Sequence, residues 1–308
     1  MRKEDFYSLN LSLGEWFAVG KNLVNAGLVH VRASRRLSQE GIPWYPTGSF
    51  LLPIMSDLTG RNISNTMLPL ITHLNHYMRQ TDDFFDEREG FPSWAECKNG
   101  VRQTQSVLLN DISKLDIDSA KKRMIFHEIA GLRRGAYVAL QEQSMWEQDP
   151  TFEVVYAHRL NTTGRFARTV AEIWSILTDI PEEKRVEARD ALQRIGMTFQ
   201  YVDDLMDLRD DVPLDGNLVH AILNENMKER QGVNQALASA RGNPRVLDLL
   251  MRFAPESTDR LLRRIDEETT PIKDISPSLE QTIRGGVKLV LPRIIISNGS
   301  FYRKIAVW

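Results

Sequence analysis

Thr81–Glu87, which reads TDDFFDE, and Phe199–Asp211, which reads FQYVDDLMDLRDD, are the two stretches that decide the fold of this chain. Each contains the pattern Asp-Asp-x-x-Asp inside a segment with helical periodicity. Carboxylates three and four residues apart lie on one face of a helix. Two such faces opposed across a cavity would hold oxygen-seeking divalent cations, with a phosphate supplying further ligands. The pair of motifs therefore predicts a helical protein with a metal-dependent diphosphate site.

The first motif combines Asp82, Asp83 and Asp86 with the adjacent Phe84 and Phe85. Acids this close repel one another, so a helix tolerates them poorly unless cations or water compensate. A solvated run of charges rarely contains two phenylalanines, which favours a functional interpretation. The alternative is an acidic helix end exposed to solvent, with the phenylalanines packed below it.

The second motif places Asp203, Asp207 and Asp211 at four-residue intervals, with Asp204 beside the first of them. At about 100° per residue these three aspartates form one acidic stripe on a helix. Apolar residues fill the other faces, namely Leu205, Met206 and Leu208. A charged stripe on a surface helix is the alternative, but the recurrence of one pattern in two places favours metal binding.

The composition excludes several classes of protein. The 308-residue chain has a formal net charge of −2, so no basic excess indicates a nucleic-acid partner. Its single cysteine, Cys97, excludes an internal disulfide framework and gives no sign of secretion. No run reaches the roughly 18–20 apolar residues of a membrane span. We expect a soluble, cytoplasmic protein without a transmembrane segment.

Helical periodicity extends over the whole chain, and the signals for strands are weak. We expect one all-α domain over residues 1–308, a single large helical bundle around a central cavity. The predicted helices are Leu11–Leu37, Leu51–Thr59, a helix from Asn65 or Thr66 through the first motif, Trp94–Leu109, Ser119–Trp146, Thr151–Leu177, Pro181–Leu208, Leu218–Asn226, Val233–Ala240, Pro244–Phe253, Pro255–Glu268 and Ser278–Ile296.

With these two motifs the chain resembles the class I isoprenoid synthase superfamily, which includes trans-prenyltransferases, squalene and phytoene synthases, and class I terpene cyclases. Asp82–Asp86 resembles the first aspartate-rich motif of that superfamily, and Phe199–Asp207 resembles the second motif as prenyltransferases have it. The resemblance covers Leu51–Asn226. It implies that the two motifs lie on facing helices of one bundle.

The resemblance also implies magnesium-dependent chemistry on an allylic prenyl diphosphate. Three Mg²⁺ ions would lie between the acidic helices and would stabilise the charge that develops on the departing diphosphate. The implied metal ligands are Asp82, Asp83, Asp86, Asp203, Asp207 and Asp211, while Asp204 and Glu87 would be ligands or would orient them. The allylic cation would be guided by an aromatic-lined cavity, for which Phe84 and Phe85 are candidate residues.

Further candidates for diphosphate binding lie between the motifs. Arg159 is similar in position to the diphosphate-sensing arginine of the cyclases, and Arg165 is its near neighbour. A guanidinium group matches phosphate oxygens with two parallel donors. Gln200 resembles the diphosphate-contacting glutamine of prenyltransferases. His76, on the helix that leads to the first motif, is a candidate to line the cavity, although a core or surface histidine is the alternative.

The chain departs from the chain-elongating members of this superfamily, which bind a second diphosphate through additional Lys and Arg residues. Gly41–Gly48 and Asp57–Arg61 contain no such basic cluster. Glu89 occupies a position after the first motif at which the chain-elongating enzymes have an arginine. The Lys-Thr pair expected before the central helix is Thr162-Thr163. Binding a second diphosphate without those cations would be costly. We therefore expect a one-substrate terpene cyclase or lyase reaction, ahead of isopentenyl condensation or squalene-synthase-like coupling.

Other interpretations stay open from the sequence. A helical subunit that kept the fold and lost the chemistry is one, although neither acidic motif is eroded. A homodimer is another. The apolar and basic segment Val287–Trp308 is a candidate for peripheral membrane contact, and a packed terminal helix is its alternative.

Overall fold

Helices and short connections make up the backbone of this protein. The structure, a computed structural model, describes residues 11–25, 47–62, 67–85, 94–146, 150–209, 216–239 and 244–295. Over those ranges the backbone contains no strand, only an isolated antiparallel bridge between Arg245 and Ile295. The all-α prediction is confirmed. Among these described helices, none is long and apolar enough to cross a membrane.

Most of the described residues belong to helices, which are numbered in chain order. They are α1 (residues 13–25), α2 (Thr47–Thr59), α3 (Met67–Phe85), α4 (Trp94–Lys114), α5 (Ser119–Gln143), α6 (Phe152–Arg159), a π-helical turn (Leu160–Gly164), α7 (Arg165–Thr178), α8 (Glu182–Met206), α9 (Leu218–Asn224), α10 (Met227–Ser239), α11 (Val246–Phe253), α12 (Pro255–Thr269), α13 (Ile272–Ile275), α14 (Pro277–Val290) and a 3₁₀ turn (Leu291–Arg293).

The Cα positions group into two compact units. Unit 1 contains Met1–Val19, Met145–Gly164 and Arg194–Trp308, and unit 2 contains Gly20–Ser144 and Arg165–Gln193. The divisions along the chain therefore fall within α1, just after α5, at the end of the π-helical turn and within α8. A single domain around a central cavity stays a prediction.

Unit 2 is built on α3, which packs against α2, α4 and α5, while α5 packs against α7. Leu52, Leu74 and Leu132 are fully buried in this unit. The largest buried side chain is Trp174, and its Nε1 donates a hydrogen bond of 3.1 Å to Oγ1 of Thr59. The buried indole N–H is therefore satisfied, as burial of a polar group requires.

The core of unit 1 joins α6 and the second half of α8 to the helices that come after them. Met197, Tyr201 and Leu205 of α8 are buried in it together with apolar residues of α9, α11 and α12. Leu205, Met206 and Leu208 are all buried, as the pattern of the second motif predicts.

The first helix is fixed at its start by a reciprocal cap. The N–H of Ser12 donates to Oε2 of Glu15 at 2.7 Å, and the N–H of Glu15 donates to Oγ of Ser12 at 3.2 Å, which is a capping box. Oε1 of Glu15 also accepts from Nζ of Lys288 at 2.9 Å. These contacts tie the start of α1 to α14 within unit 1.

Two predicted helix boundaries are wrong for identifiable reasons. The helix predicted over Ser278–Ile296 ends at Val290, and Pro292 lies in a 3₁₀ turn because its nitrogen has no hydrogen to donate. The carbonyl of Ile294 instead accepts from the N–H of Val246 at 2.9 Å. The helix predicted from Val233 begins at Met227, because Oδ1 of Asn226 caps it by accepting from the N–H of Glu229 at 3.3 Å.

Two more boundaries differ by several residues, since α4 ends at Lys114 instead of Leu109 and α2 begins at Thr47 instead of Leu51, whereas the others are closer to those observed. The segment predicted as one helix over Thr151–Leu177 contains the π-helical turn, and the sequence pattern does not predict α13. The predicted helix over Leu11–Leu37 is observed over residues 13–25, and its remainder lies outside the described residues.

Glu229 caps a helix that is distant in sequence. Its Oε1 accepts from the N–H of Glu256 at 2.9 Å, and its Oε2 accepts from the N–H of Ser257 at 2.8 Å, at the start of α12. Burial alone raises the pKa of Glu229, but the hydrogen bonds from Ser257 and Glu256 outweigh it and lower the pKa below its ordinary value. The ionised carboxylate is thus the form that folding favours.

Replacing Glu229 with alanine is expected to lower the free energy of unfolding at pH 7 by about 1.5–3 kcal/mol, because two backbone donors lose a charged acceptor. The folded pKa lies below the unfolded value of 4.5, so this stabilisation is complete above pH 4.5 and disappears as pH falls through the folded pKa. Urea denaturation of wild type and Glu229→Ala across pH 3–7 measures both effects. The control is Gln235→Ala at an exposed site of α10, and an equal loss in the control would contradict the capping role.

Candidate functional site

The first aspartate motif lies at the end of α3. The helix continues through Asp82, Asp83 and Phe84 and ends at Phe85, so the helical prediction for this part is confirmed. The side chains of these four residues, and the whole of Asp86, lie outside the described part of the structure. Their roles as metal ligands and cavity contacts therefore stay predictions.

Two histidines precede this motif on α3. His73 is buried, and its Nδ1 makes a short hydrogen bond to Oδ2 of Asp111 on α4. His76 lies one turn further and is partly buried. Burial and the neighbouring His73 lower the pKa of His76, so its imidazole is neutral at pH 7. His73 thus joins α3 to α4, and His76 supplies a neutral ring near the first motif.

The second motif occupies the last turn of α8 and the bend after it. Asp203 is exposed and Asp207 is partly buried. The helix ends at Met206, two residues earlier than predicted, but the N–H of Asp207 still donates to the carbonyl of Asp203 at 3.0 Å. The two aspartates therefore remain one turn apart. Asp211, the third member of the predicted stripe, lies outside the described residues.

Asp204 differs from both of these neighbours, because only 2% of its surface is exposed. Its Oδ1 accepts from Nε2 of Gln200 at 2.6 Å, and its Oδ2 accepts from the N–H of Leu218 at 2.6 Å. Burial raises the pKa of Asp204 to about 7, although Arg159 and both hydrogen bonds act in the opposite direction. The carboxylate is therefore turned into unit 1.

The start of α9 is fixed to the end of α8 by further side chains. Asn217 caps α9 by accepting from the N–H groups of Val219 and His220, and its Nδ2 donates to the backbone carbonyl of Asp204 at 2.8 Å. Arg159 donates from Nε to the carbonyl of Gly216 at 2.8 Å, and its Nη2 lies 3.8 Å from Oδ1 of Asp204. Asp204, Asn217 and Arg159 form what we call the α8–α9 clamp.

The π-helical turn is connected to this clamp through one hydroxyl group. Oγ1 of Thr163 donates to Oε1 of Gln200 at 2.5 Å, so Gln200 bridges Thr163 and Asp204. The hydroxyl of Thr162 contacts the carbonyl of His158, one turn earlier, at 3.2 Å. Isolated π turns inside α-helices occur frequently at functional sites. In this chain the wide turn ends at Gly164, immediately before α7.

Arg165, at the start of α7 in unit 2, lies across α5. A Cβ atom on Gly135 would be 2.7 Å from Nη1 of Arg165, and one on Gly131 would be 3.3 Å from Nη2. The absence of side chains at these two glycines therefore leaves the space that the guanidinium occupies. The predicted diphosphate-binding role of Arg165 stays a prediction.

The second motif offers oxygen ligands that suit a hard cation. Asp203 and Asp207 are one turn apart and both reach the surface of unit 1, and carboxylate oxygens are the ligands that Mg²⁺ prefers. Within the described ranges, no three His, Cys, Asp or Glu side chains cluster closely enough to hold a metal ion. The fit therefore rests on these two aspartates, with further ligands required from elsewhere.

Sequence reasoning missed two residues of this site. The sequence contains a signal for the capping role of Asn217, since an asparagine directly before an apolar run is a typical helix cap. Thr163 stands out in the sequence only as a departure from a Lys-Thr pair, and its contact with Gln200 has no signal there.

Comparisons with known proteins show which solved structures share this fold. No protein-family model and no curated protein sequence matches this chain. Solved structures do match. A geranylgeranyl pyrophosphate synthetase from Pyrococcus horikoshii is similar with a TM-score of 0.60 and 16% identity, over 88% of this chain and 94% of that one.

Two further prenyl synthases are similar over most of their length. A polyprenyl synthetase from Streptomyces coelicolor has a TM-score of 0.52 and 12% identity, over 88% of this chain and 98% of that one. A medium/long-chain prenyl pyrophosphate synthase from Arabidopsis has a TM-score of 0.52 and 13% identity, over 83% and 93%. At such identities the likeness establishes the fold alone. The chain has the all-α fold of these prenyl synthases, and the fold class predicted from the sequence is confirmed.

Proposed function

We propose that this protein is a magnesium-dependent enzyme that ionises an allylic prenyl diphosphate and transfers the prenyl group. The observation that carries the proposal is the coincidence of a prenyl synthase fold with two Asp-Asp-x-x-Asp motifs in one chain. The three solved structures described above are prenyl synthases. They support condensation better than the one-substrate reaction that the sequence favours.

The proposed ligands are carboxylates of both motifs. Asp203 and Asp207 would bind Mg²⁺ from the end of α8, and Asp82, Asp83, Asp86 and Asp211 would complete the set. The bound metal would stabilise the negative charge that develops on the departing diphosphate. Asp82, Asp86, Asp203, Asp207 and Arg159 are the residues to which we assign catalysis.

Substrate binding needs cations and an apolar wall. We assign contacts with the diphosphate to Arg159, Arg165 and Gln200, because guanidinium and amide groups donate to phosphate oxygens. Phe84 and Phe85 would contact the prenyl chain, since aromatic faces exclude water from an allylic cation and attract its charge. His76, whose neutral ring cannot repel that cation, would contact the chain on the same helix.

A terpene cyclase or lyase is the second candidate, and a specific observation favours it. The residues that would hold a second diphosphate in chain elongation are replaced, with Glu89 and Thr162 standing in place of cations. The side chain of Thr162 is an uncharged hydroxyl, and it contacts the carbonyl of His158. A one-substrate reaction would need only the cations that are present.

An assay with and without isopentenyl diphosphate separates these functions. Geranyl, farnesyl and geranylgeranyl diphosphate would each be incubated with Mg²⁺, alone and with isopentenyl diphosphate, and all products analysed by mass spectrometry. We expect longer prenyl diphosphates that form only when both substrates are present. Hydrocarbons or alcohols from a single substrate would establish the cyclase instead. If no mixture releases inorganic diphosphate, the protein is a silent subunit, and a reaction with added EDTA serves as the control.

A further inference from the structure

We propose that Asp204 is a positioning residue that fixes the end of α8 to the start of α9, and that it does not bind metal. The two aspartates around it, Asp203 and Asp207, would then be the ligands that this part of the second motif supplies. The inference rests on the proposed function only for the roles of those two residues. It divides one acidic motif into a structural member and two binding members.

Burial separates the three aspartates first. Asp204 is 2% exposed, whereas Asp203 is exposed and Asp207 is partly buried. A magnesium ion keeps several water or phosphate oxygens in its shell, so its protein ligands must reach a solvent-accessible space. The carboxylate of Asp204 has no such access.

The hydrogen bonds of Asp204 lead to the same conclusion. Each carboxylate oxygen accepts from a different protein donor at 2.6 Å, one from Gln200 of its own helix and one from the backbone N–H of Leu218. Each oxygen keeps a second lone pair, so a cation would have to enter the buried space around these bonds or displace the donors. Displacing them would leave a buried N–H without a partner, which is unfavourable.

The groups that Asp204 binds indicate its structural role, which is to connect α8 to α9. The chain leaves α8 at Met206 and begins α9 at Leu218, whose N–H is bound to Asp204. Nδ2 of Asn217 donates to the backbone carbonyl of Asp204. Both the side chain and the main chain of Asp204 therefore accept hydrogen bonds from the start of α9. The return of the chain from α8 to α9 therefore depends on this clamp, whereas the spacing of Asp203 and Asp207 is held within α8 by the bond from the N–H of Asp207 to the carbonyl of Asp203.

Asparagine substitutions test whether Asp204 has a structural role and Asp203 a metal-binding role. Asp204→Asn keeps the size of the side chain but turns one acceptor into a donor that faces Gln200 or the N–H of Leu218. We expect its melting temperature without metal to fall by about 3–8 °C, because one buried bond is lost. Asp203→Asn, the matched control on the exposed side, should lower the melting temperature by less than half as much, because an exposed carboxylate contributes less to stability than a buried one.

Metal binding should show the opposite pattern. Mg²⁺ would be titrated in the presence of inorganic diphosphate, with the rise in melting temperature as the measurement. We expect the half-saturating Mg²⁺ concentration of Asp204→Asn to remain within about twofold of wild type. In Asp203→Asn it should rise at least about tenfold, because a charged oxygen ligand of the metal is lost. The proposal is overturned if Asp204→Asn weakens Mg²⁺ binding as Asp203→Asn does and leaves the metal-free melting temperature unchanged.

Asn217→Ala provides a second variant if Asp204→Asn fails to fold. It removes one tie of the same clamp and leaves every aspartate in place, so it should lower the metal-free melting temperature and keep the half-saturating Mg²⁺ concentration. An unchanged melting temperature in Asn217→Ala would overturn the clamp. If wild type does not respond to Mg²⁺ and diphosphate at all, the proposed function fails, and the metal-free melting temperatures still decide the role of Asp204.

Discussion

Replacing both Asp82 and Asp86 with alanine is expected to abolish release of diphosphate, with kcat/KM reduced at least about 1,000-fold. The loss follows from removing metal ligands at the point where charge develops on the leaving group, which is a stabilisation of several kcal/mol, and each 1.4 kcal/mol corresponds to a factor of about ten in rate. The measurement is release of inorganic diphosphate from farnesyl and geranylgeranyl diphosphate, with isopentenyl diphosphate and saturating Mg²⁺.

A matched control is available on α8. Asp190 is an exposed aspartate of α8 that belongs to neither motif, so Asp190→Ala should retain the activity of wild type. Circular dichroism of the double variant must show the same helical content as wild type. If the double variant keeps even a tenth of the activity, the first motif is not the metal site and the catalytic assignment fails.

Replacing both Arg185 and Arg189 with methionine is expected to destabilise the protein by about 3–5 kcal/mol. Glu172 of α7 is only 1% exposed, and it is paired with Arg185 and, at 3.5 Å, with Arg189 from the start of α8. The double substitution would leave a buried carboxylate without a compensating charge, which costs far more than an exposed ion pair is worth. Guanidinium denaturation, monitored by circular dichroism, measures the change in the free energy of unfolding.

The triple variant with Glu172→Met is the decisive control. Replacing the whole buried ionic group with apolar side chains of similar volume removes the unpaired charge, so stability should return to within about 1 kcal/mol of wild type. Equal stability of the double and triple variants would show that the loss comes from packing of the arginine side chains and not from the buried charge.

The sequence was sufficient for the fold class because its strongest signals were local. Apolar spacing predicts most helices to within a few residues, and the Asp-Asp-x-x-Asp pair predicts the superfamily fold. The wrong helix boundaries arose where a single residue decided the point at which a helix begins or ends. Asn226 starts α10 earlier than its apolar pattern suggests, and Pro292 ends the α-helical hydrogen bonding after α14.

The site was harder to predict, because spacing along a helix does not show what packs against it. Asp203 and Asp204 are adjacent aspartates in one motif, yet one is exposed and the other is buried against Leu218. The bond from Leu218 depends on how the chain returns after α8, and no periodicity encodes that return. The surroundings of Arg165 were equally hard to predict, since the glycines of α5 that leave space for its side chain are distant in sequence.

The wide turn at Leu160–Gly164 has a consequence for engineering this protein. One additional residue in a helical turn rotates everything downstream by about 100° relative to an uninterrupted helix. Within unit 1 the turn sets the position of Thr163, whose hydroxyl donates to Oε1 of Gln200. Deleting a single residue of the turn would rotate Thr163 away from Gln200, so the length of this segment is a constraint in addition to its residue types.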